Sequence, residues 1–270
     1  MSQKVSVLII AQNVEQTVVR CLDSLKIFDE VVFVDGGSTD RTLEIAASYD
    51  NVKIYKNPWP GFVEQRNYSL EKASHEWCFM IDADEALNKD TAEEIYRVVN
   101  SNPSKVLYRI MRTEYYLGEQ IESGYGKSEY QERLFIKNRV RYSGGVHHTH
   151  LIDGKETFET SELIENFPSK YRILHDNRYG LNEWIRKLPR FAVTVAEEKI
   201  QRGKKTNAFI VFLSFVGTFF QIWFKCLKLG KVGIVIAFQT AIYRSLVKLI
   251  MYERSEIGFD EKQNKGESLG

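Results

Sequence analysis

Strand-like and helix-like patterns alternate through the first hundred residues, and each strand-like run stops at a polar loop. Residues 5–10, 30–35, 52–55 and 77–82 are short runs rich in Val, Ile and Phe. Apart from the third, they have few polar breaks, so they read as strands buried on both faces. Residues 15–25, 40–49 and 62–73 lie between them with helical character, and a further helix is expected over 89–100. Such repetition dictates βαβ units on a parallel sheet. The fold class is therefore α/β: a Rossmann-like, mostly parallel sheet with flanking helices.

The 270 residues are 43% apolar, enough for a large core. Lys and Arg number 37 against 36 Asp and Glu, a net charge of +1, so nothing global points to a nucleic-acid partner. Cys21, Cys78 and Cys226 are far apart and in no metal spacing. They read as reduced core thiols of a cytosolic protein. The first apolar run meets Gln12 and Asn13 too early for a signal peptide, so none is expected.

Past Pro103 the alternation stops. Residues 106–117 and 131–137 read as strands, and 139–150 as loop and strand around Gly144 and Gly145. Helical pattern resumes near residue 182 and runs to 253. The expected organisation is an α/β domain over 1–169, with one part at 1–90 and a second at 104–169. A basic helical region follows over 170–254, then a frayed tail over 255–270.

The chemistry concentrates where strands end. Asp82-Ala83-Asp84 closes the fourth strand. In open α/β sheets, ligands bind at that edge. Alternate residues of an extended segment point the same way, so both carboxylates serve one site. Hard oxygens there suit Mg²⁺ or Mn²⁺ bridging a diphosphate. Asp35-Gly36-Gly37 ends the second strand at the same edge, where glycine permits close backbone approach. Ala11-Gln12-Asn13-Val14-Glu15 ends the first.

Taken in order, residues 7–15, 21–25, Val34-Asp35-Gly36-Gly37-Ser38-Thr39-Asp40-Arg41-Thr42 and Asp82-Ala83-Asp84-Glu85 resemble a family 2 glycosyltransferase of the GT-A fold. Gly61-Phe62, with Gln65-Arg66-Asn67, matches a further segment of that family. The resemblance implies transfer of a sugar from a nucleotide diphosphate donor with inversion, by a catalytic domain over 1–169 with its donor site in 1–90 and its acceptor part in 104–169. It implies that Ala11, Asn13 and Glu15 embrace the base and that Asp35, beside Gly36, binds the uracil. Gln65 and Arg66 would lie near the phosphates. Asp82 and Ala83 would lie near the ribose and metal, with Asp84 as the direct metal ligand.

Glu132-Arg133-Leu134-Phe135 followed by Gly145-Val146-His147 resembles a subgroup acting on lipopolysaccharide core, which implies a glucosyltransferase using UDP-glucose. That subgroup carries Val-His-Glu where this chain has Val146-His147-His148. Inversion needs a base for the acceptor hydroxyl, and the candidates are Glu132, Glu129, His147 and His148. His147, His148 and His150 cluster, and one of them would instead complete the metal shell; His175 reads first as a structural histidine and second as a site residue. Tyr108, Tyr115, Tyr116 and Tyr125 lie where an acceptor would stack.

The C-terminal third is basic, with sixteen Lys or Arg against five Asp or Glu over residues 170–254. Residues 206–224 carry no charge, close to the roughly 20 needed to span a bilayer. Ser214, Thr218, Gln221 and Lys225 form a polar stripe at helical spacing, as in an interfacial helix. Residues 232–243 read as too short to span. The expected location is the cytoplasmic face of the inner membrane, on anionic lipid, peripheral or re-entrant, with a spanning helix as a further reading. The acceptor expected there is a lipid-anchored glycan. A helix pair packed on the catalytic domain or on a second subunit is the competing reading. Two other classes were weighed against a glycosyltransferase. A nucleotidyltransferase needs a glycine- and basic-rich first loop, which residues 11–15 lack. A non-catalytic membrane adaptor would not need Asp35, Asp82 and Asp84.

Overall fold

A computed structural model describes residues 2–121, 127–144, 149–177 and 181–256. The strands are β1 (Val5–Ala11), β2 (Glu30–Asp35), β3 (Val52–Lys56), β4 (Trp77–Met80), β5 (Glu85–Leu87), β6 (Leu107–Tyr116), β7 (Glu119–Gln120), β8 (Glu129–Ile136), β9 (Val140–Ser143), β10 (Thr149–Ile152), β11 (Lys155–Glu156), β12 (Ile164–Asn166) and β13 (Arg172–Asn177). The α-helices are α1 (Val18–Asp23), α2 (Thr42–Ala46), α3 (Phe62–Lys72), α4 (Lys89–Asn100), α5 (Leu181–Gln201), α6 (Ala208–Lys225) and α7 (Gly230–Glu256). The chain forms two compact units. One holds Met1–Tyr115 and Ser128–Asp176, the other Tyr116–Lys127 and Asn177–Gly270.

In the first unit the main sheet runs β3-β2-β1-β4-β8-β6-β13-β5. β1 pairs in parallel with β2 and β4, and β2 with β3, as the βαβ reading requires. β8 is antiparallel to both β4 and β6, and β13 to β5. The sheet is thus mixed: the N-terminal strands are parallel, as is the β12–β6 pair at residues 164–166 and 107–109. β9, β10 and β11 make a small antiparallel sheet. Alternation along β1 places Val5, Val7 and Ile9 in one apolar cluster and Leu8 and Ile10 in another, so both faces are covered. All three cysteines are free and buried.

Two helices are shorter than the apolar spacing suggests. Val14 N–H donates to Thr42 Oγ1 and Glu15 N–H to Asp40 Oδ2, so residues 14 and 15 bond sideways into the next loop instead of opening α1. Tyr108 is a core residue and not a stacking surface: it is 4% exposed and packs against Trp77 and Phe167.

In the second unit, α5, α6 and α7 are long helices, and Tyr116 hydrogen-bonds Gln239 of α7. Residues 232–243 are part of a 27-residue helix, so the expectation that this run is too short to span does not hold. Arg244 and Lys248 interrupt the apolar run but not the helix, because neither residue breaks helical backbone. Both α6 and the stretch Leu227–Arg254 are long and apolar enough to cross a membrane by length and composition.

Candidate active site

The loops after β1 and β2 are stitched together by side chains. Gly36 N–H donates to the Ala11 carbonyl at 2.8 Å. Asn13, in the left-handed region with φ of 55°, receives Thr39 N–H on Oδ1 at 2.8 Å and donates its own N–H to Ser38 Oγ at 2.9 Å. Glu15 Oε2 accepts from Arg41 N–H at 3.0 Å. Asp35 is 2% exposed, and its carboxylate accepts from the backbone N–H groups of Gly37, at 2.9 Å, and Ser38. It therefore shapes the turn as well as standing at the sheet edge. At Gly36 an added Cβ would lie 2.6 Å from Trp59 Cε3, so only glycine fits without displacement.

Gln65 is fully buried on α3 and holds Asn57, donating to its carbonyl and accepting from its Nδ2 at 2.7 Å. It locks the loop that precedes α3. Arg66, its neighbour, turns to the site: Nη2 lies 2.9 Å from Asp82 Oδ1, and the guanidinium packs over Tyr142.

The two carboxylates of Asp82-Ala83-Asp84 are not equivalent. Asp82 takes Arg66 on one oxygen and Arg133 on the other, at 3.1 Å. Burial opposes its ionisation, but the two guanidinium groups prevail and hold its carboxyl far below the usual carboxylate range. Ala83 is 5% exposed and packs into the core. Asp84 is a third exposed and lies 3.5 Å from His175 Nε2. His175 Nδ1 is 2.6 Å from Glu114. Burial would lower the His175 pKa, but Asp84 and Glu114 outweigh it and push it up to about 10.

These contacts join an unbroken chain of alternating charge. Arg133 reaches Glu85 at 2.7 Å, Glu85 reaches Arg112 at 3.5 Å, and Arg112 reaches Glu114 at 2.6 Å. Glu114 leads through His175 to Asp84. Glu85 is fully buried, which pushes its carboxyl up, and Asp82 and Asp84 add to the rise against the pull of Arg133. Cys21 lies beneath, with Sγ 3.6 Å from the Asp82 carbonyl.

A cavity of about 390 Å³ opens beside Asp82, lined by Arg66, Arg109, Arg112, Tyr130, Gln131, Glu132, Arg133, His150 and Asn166. Glu132 accepts from Arg109 at 2.7 Å and meets His150 Nδ1 at 2.6 Å. Burial raises its carboxyl, but His150 and Arg109 outweigh this and leave it below its ordinary value. Glu132 engages the Nδ1 side of the His150 ring. Glu129 is exposed on β8 and does not line the cavity. His147, His148 and Tyr125 lie outside the described residues.

Among the described residues no three of His, Cys, Asp and Glu form a metal-binding group. The donor set still fits a hard cation. Mg²⁺ is usually held by one or two carboxylates with the remaining positions filled by substrate phosphates and water. Asp84 offers such a carboxylate at the sheet edge, whereas both oxygens of Asp82 are engaged by arginines. Arg109, Arg112 and Glu114 escaped the sequence reading. Charged residues within a strand are the one sequence signal they leave; Glu114 is buried, and Arg109 and Arg112 are half-buried.

Residues 6–151 match the family model described as Glycosyl transferase family 2. The chain is 28% identical over 261 residues to the lipopolysaccharide core biosynthesis glycosyltransferase LpsC of Rhizobium meliloti (strain 1021), covering 92% of each chain. It is 27% identical over 264 residues to the uncharacterized glycosyltransferase RC0292 of Rickettsia conorii, covering 92% of this chain and 90% of that one. S. aureus TarS 1-349 in complex with UDP shares its fold, with a TM-score of 0.51 and 16% identity over 96% of this chain and 93% of that one. The UDP-GlcNAc complex of the same protein gives 0.50 and 17% over 94% and 88%. The matched span covers β1 through β10, the strands that build the sheet edge and its cavity, and the chain is a glycosyltransferase of the GT-A fold that belongs to glycosyl transferase family 2.

Proposed function

We propose that this enzyme moves a hexose, with glucose favoured, from a UDP-sugar to a hydroxyl of a lipid-anchored glycan such as lipopolysaccharide core, with inversion and with help from Mn²⁺ or Mg²⁺. The observation that carries the reading is the sheet edge itself. The Ala11–Glu15 loop, Asp35 and Asp82–Asp84 lie at or just past the C-terminal ends of the parallel strands β1, β2 and β4, and Arg66 and Asp82 line the polar cavity. LpsC supports the class of acceptor by its name, and the UDP complexes of TarS support the donor.

Asp35 and the stitched loops are assigned to the base. Asp84 would hold the divalent cation, which when bound neutralises charge on the leaving diphosphate. Arg66 and Arg133 sit where they would add positive charge to the same group, in a setting with little water to weaken it. Asp82 keeps both arginines in place. Glu132 is assigned as base, because it is the candidate carboxylate that lines the cavity. Its partners keep it ionised, the state a base needs, at some loss of basicity. Residues 1–169 would form the catalytic domain and 170–254 a basic region on the cytoplasmic face of the inner membrane, where a lipid-anchored acceptor meets the site by diffusion in two dimensions.

Calorimetry with UDP and Mn²⁺ tests the donor side. The wild type should bind UDP more tightly with Mn²⁺ than with EDTA. Asp84→Ala should lose that difference while keeping its melting temperature within a few degrees. Unchanged Mn²⁺-dependent affinity in the variant would remove Asp84 from the metal. A screen of UDP-sugars for transfer to purified lipopolysaccharide core names the sugar.

A further inference from the structure

Between Glu198 and Glu253 the chain has no acidic residue and nine Lys or Arg. The same stretch builds α6 and α7, and α6 is inside out. Its buried residues are Ser214, Thr218 and Ile222, one in every four. Four of its phenylalanines face outward: Phe209, Phe212 and Phe224 are each more than 60% exposed, and Phe220 is 46% exposed. In a helix of a soluble domain, the hydroxyls would face water and the rings the core.

α7 repeats the inversion. Ala237, Gln239, Thr240 and Ala241 are buried, while Ile234, Val235, Phe238 and Leu249 are exposed. Small and hydroxyl-bearing residues at a helix–helix contact allow close approach, as they do in lipid. Contact is close here: a Cβ added at Gly233 would fall 2.3 Å from the Cys226 carbonyl oxygen. Phe215 and Phe238 meet edge to face across the pair, 5.9 Å apart.

We infer that α6 and α7 lie side by side in the plane of an anionic membrane, immersed in one leaflet and crossing neither. This rests on the membrane-facing reading above and adds to it a depth and a topology. The reason is where the lysines fall. Lys204 and Lys205 precede α6, and Lys225, Lys228 and Lys231 follow it. The 18 residues of α6 extend about 27 Å, so both ends of that length are cationic.

A crossing hairpin would carry the three lysines of the turn to the far side, against the strong bias that keeps Lys and Arg on the cytoplasmic side. It would also draw Arg244 and Lys248 of α7 toward hydrocarbon. In the plane, both ends of α6 sit at the phosphates of one leaflet. The outward phenylalanines then enter the headgroup–acyl boundary to roughly 5–10 Å. A second copy is the poorer cover for these faces, because it would bring two unbalanced positive surfaces together.

The test adds the full-length Lys228→Cys protein to preformed phosphatidylcholine vesicles with or without phosphatidylglycerol, then an impermeant maleimide from outside. The native cysteines are buried, so background labelling is low. The protein should float with the anionic vesicles, at least tenfold less without phosphatidylglycerol or in high salt. The introduced thiol should be labelled equally with and without detergent. Labelling that needs detergent would mean that the hairpin crosses, overturning the in-plane topology and leaving membrane binding intact. No flotation, with a monodisperse or self-associated protein in plain buffer, would overturn both. As a second variant, Phe212→Ser with Phe220→Ser should reduce flotation at least tenfold with UDP binding unchanged. Unaltered flotation would overturn the assignment of the outward phenylalanines to lipid.

Discussion

Arg66 donates to Asp82 across 2.9 Å, and the arginine is almost fully buried while the aspartate is not. Removing Asp82 therefore strands a buried cation, and removing Arg66 leaves Asp82 with Arg133 alone. Asp82→Ala and Arg66→Ala should each destabilise by about 1–3 kcal/mol, and the double variant by clearly less than the sum. Asp84→Ala should change stability by under about 1 kcal/mol, since its carboxylate is a third exposed. Urea unfolding of the variants checks both. Strict additivity of the Arg66 and Asp82 effects would mean that the pair contributes nothing as a pair.

Glu132→Gln keeps the shape of the side chain and removes its charge. If Glu132 takes the acceptor proton, single-turnover transfer should slow by 10²-fold or more, with UDP affinity within twofold of wild type. The wild-type rate should also persist as pH falls through 5, because Arg109 and His150 hold this carboxyl below its ordinary value. Undiminished turnover in the variant would shift the role to Glu129 or the histidines at 147 and 148.

Acid should loosen the fold at Glu30, far from the cavity. This carboxylate is 2% exposed and accepts from Ser6 Oγ, Lys53 Nζ and both the N–H and Oγ of Ser74. Burial opposes the charge, but these donors prevail and bring its pKa down to about 2. A lowered folded-state pKa means stabilisation that is complete above the unfolded value and lost as pH falls through the folded one. The window is thus from about pH 5 down to about pH 2, and the contribution on the order of 3 kcal/mol. Melting temperature against pH should fall less steeply across that window in Glu30→Gln, from a lower start. An identical slope would rule out Glu30 as the titrating group.

Gly36→Ala puts a methyl group 2.6 Å from Trp59. Trp59 packs edge to face on Phe62 at the start of α3, so the ring has neighbours of its own to displace. A loss of about 1–3 kcal/mol in stability is expected. UDP affinity should fall at least tenfold, because the Asp35 turn moves with it. Isothermal titration and a melt on the same sample separate the two effects.

The fold of the N-terminal part was legible because its signals are local. A buried run, a polar stop and a helix occupy consecutive residues, so residues 1–100 yield strands, edges and loops together. The chain from Arg66 to Asp84 is non-local. It needs β8 beside β4 and β6, a register shift at Tyr108 and Arg109, and β13 returning from far along the sequence. No spacing rule states that Glu114 will meet His175. The apolar pattern also underestimated α7, since a charge ends a hydrophobic run without ending a helix.

The sideways bonds of Asn13, Val14 and Glu15 to residues 38–42 have a thermodynamic consequence. The two loops hold one another directly, so if they receive the base as proposed, binding would demand little new order from the backbone. The opposing entropy of association should be small, and the heat capacity change should track the surface that the base covers rather than any folding of the loops around it. Polar residues that bond one loop to the other, Ser38 and Thr42 among them, would then govern nucleotide affinity by keeping the slot open in its absence.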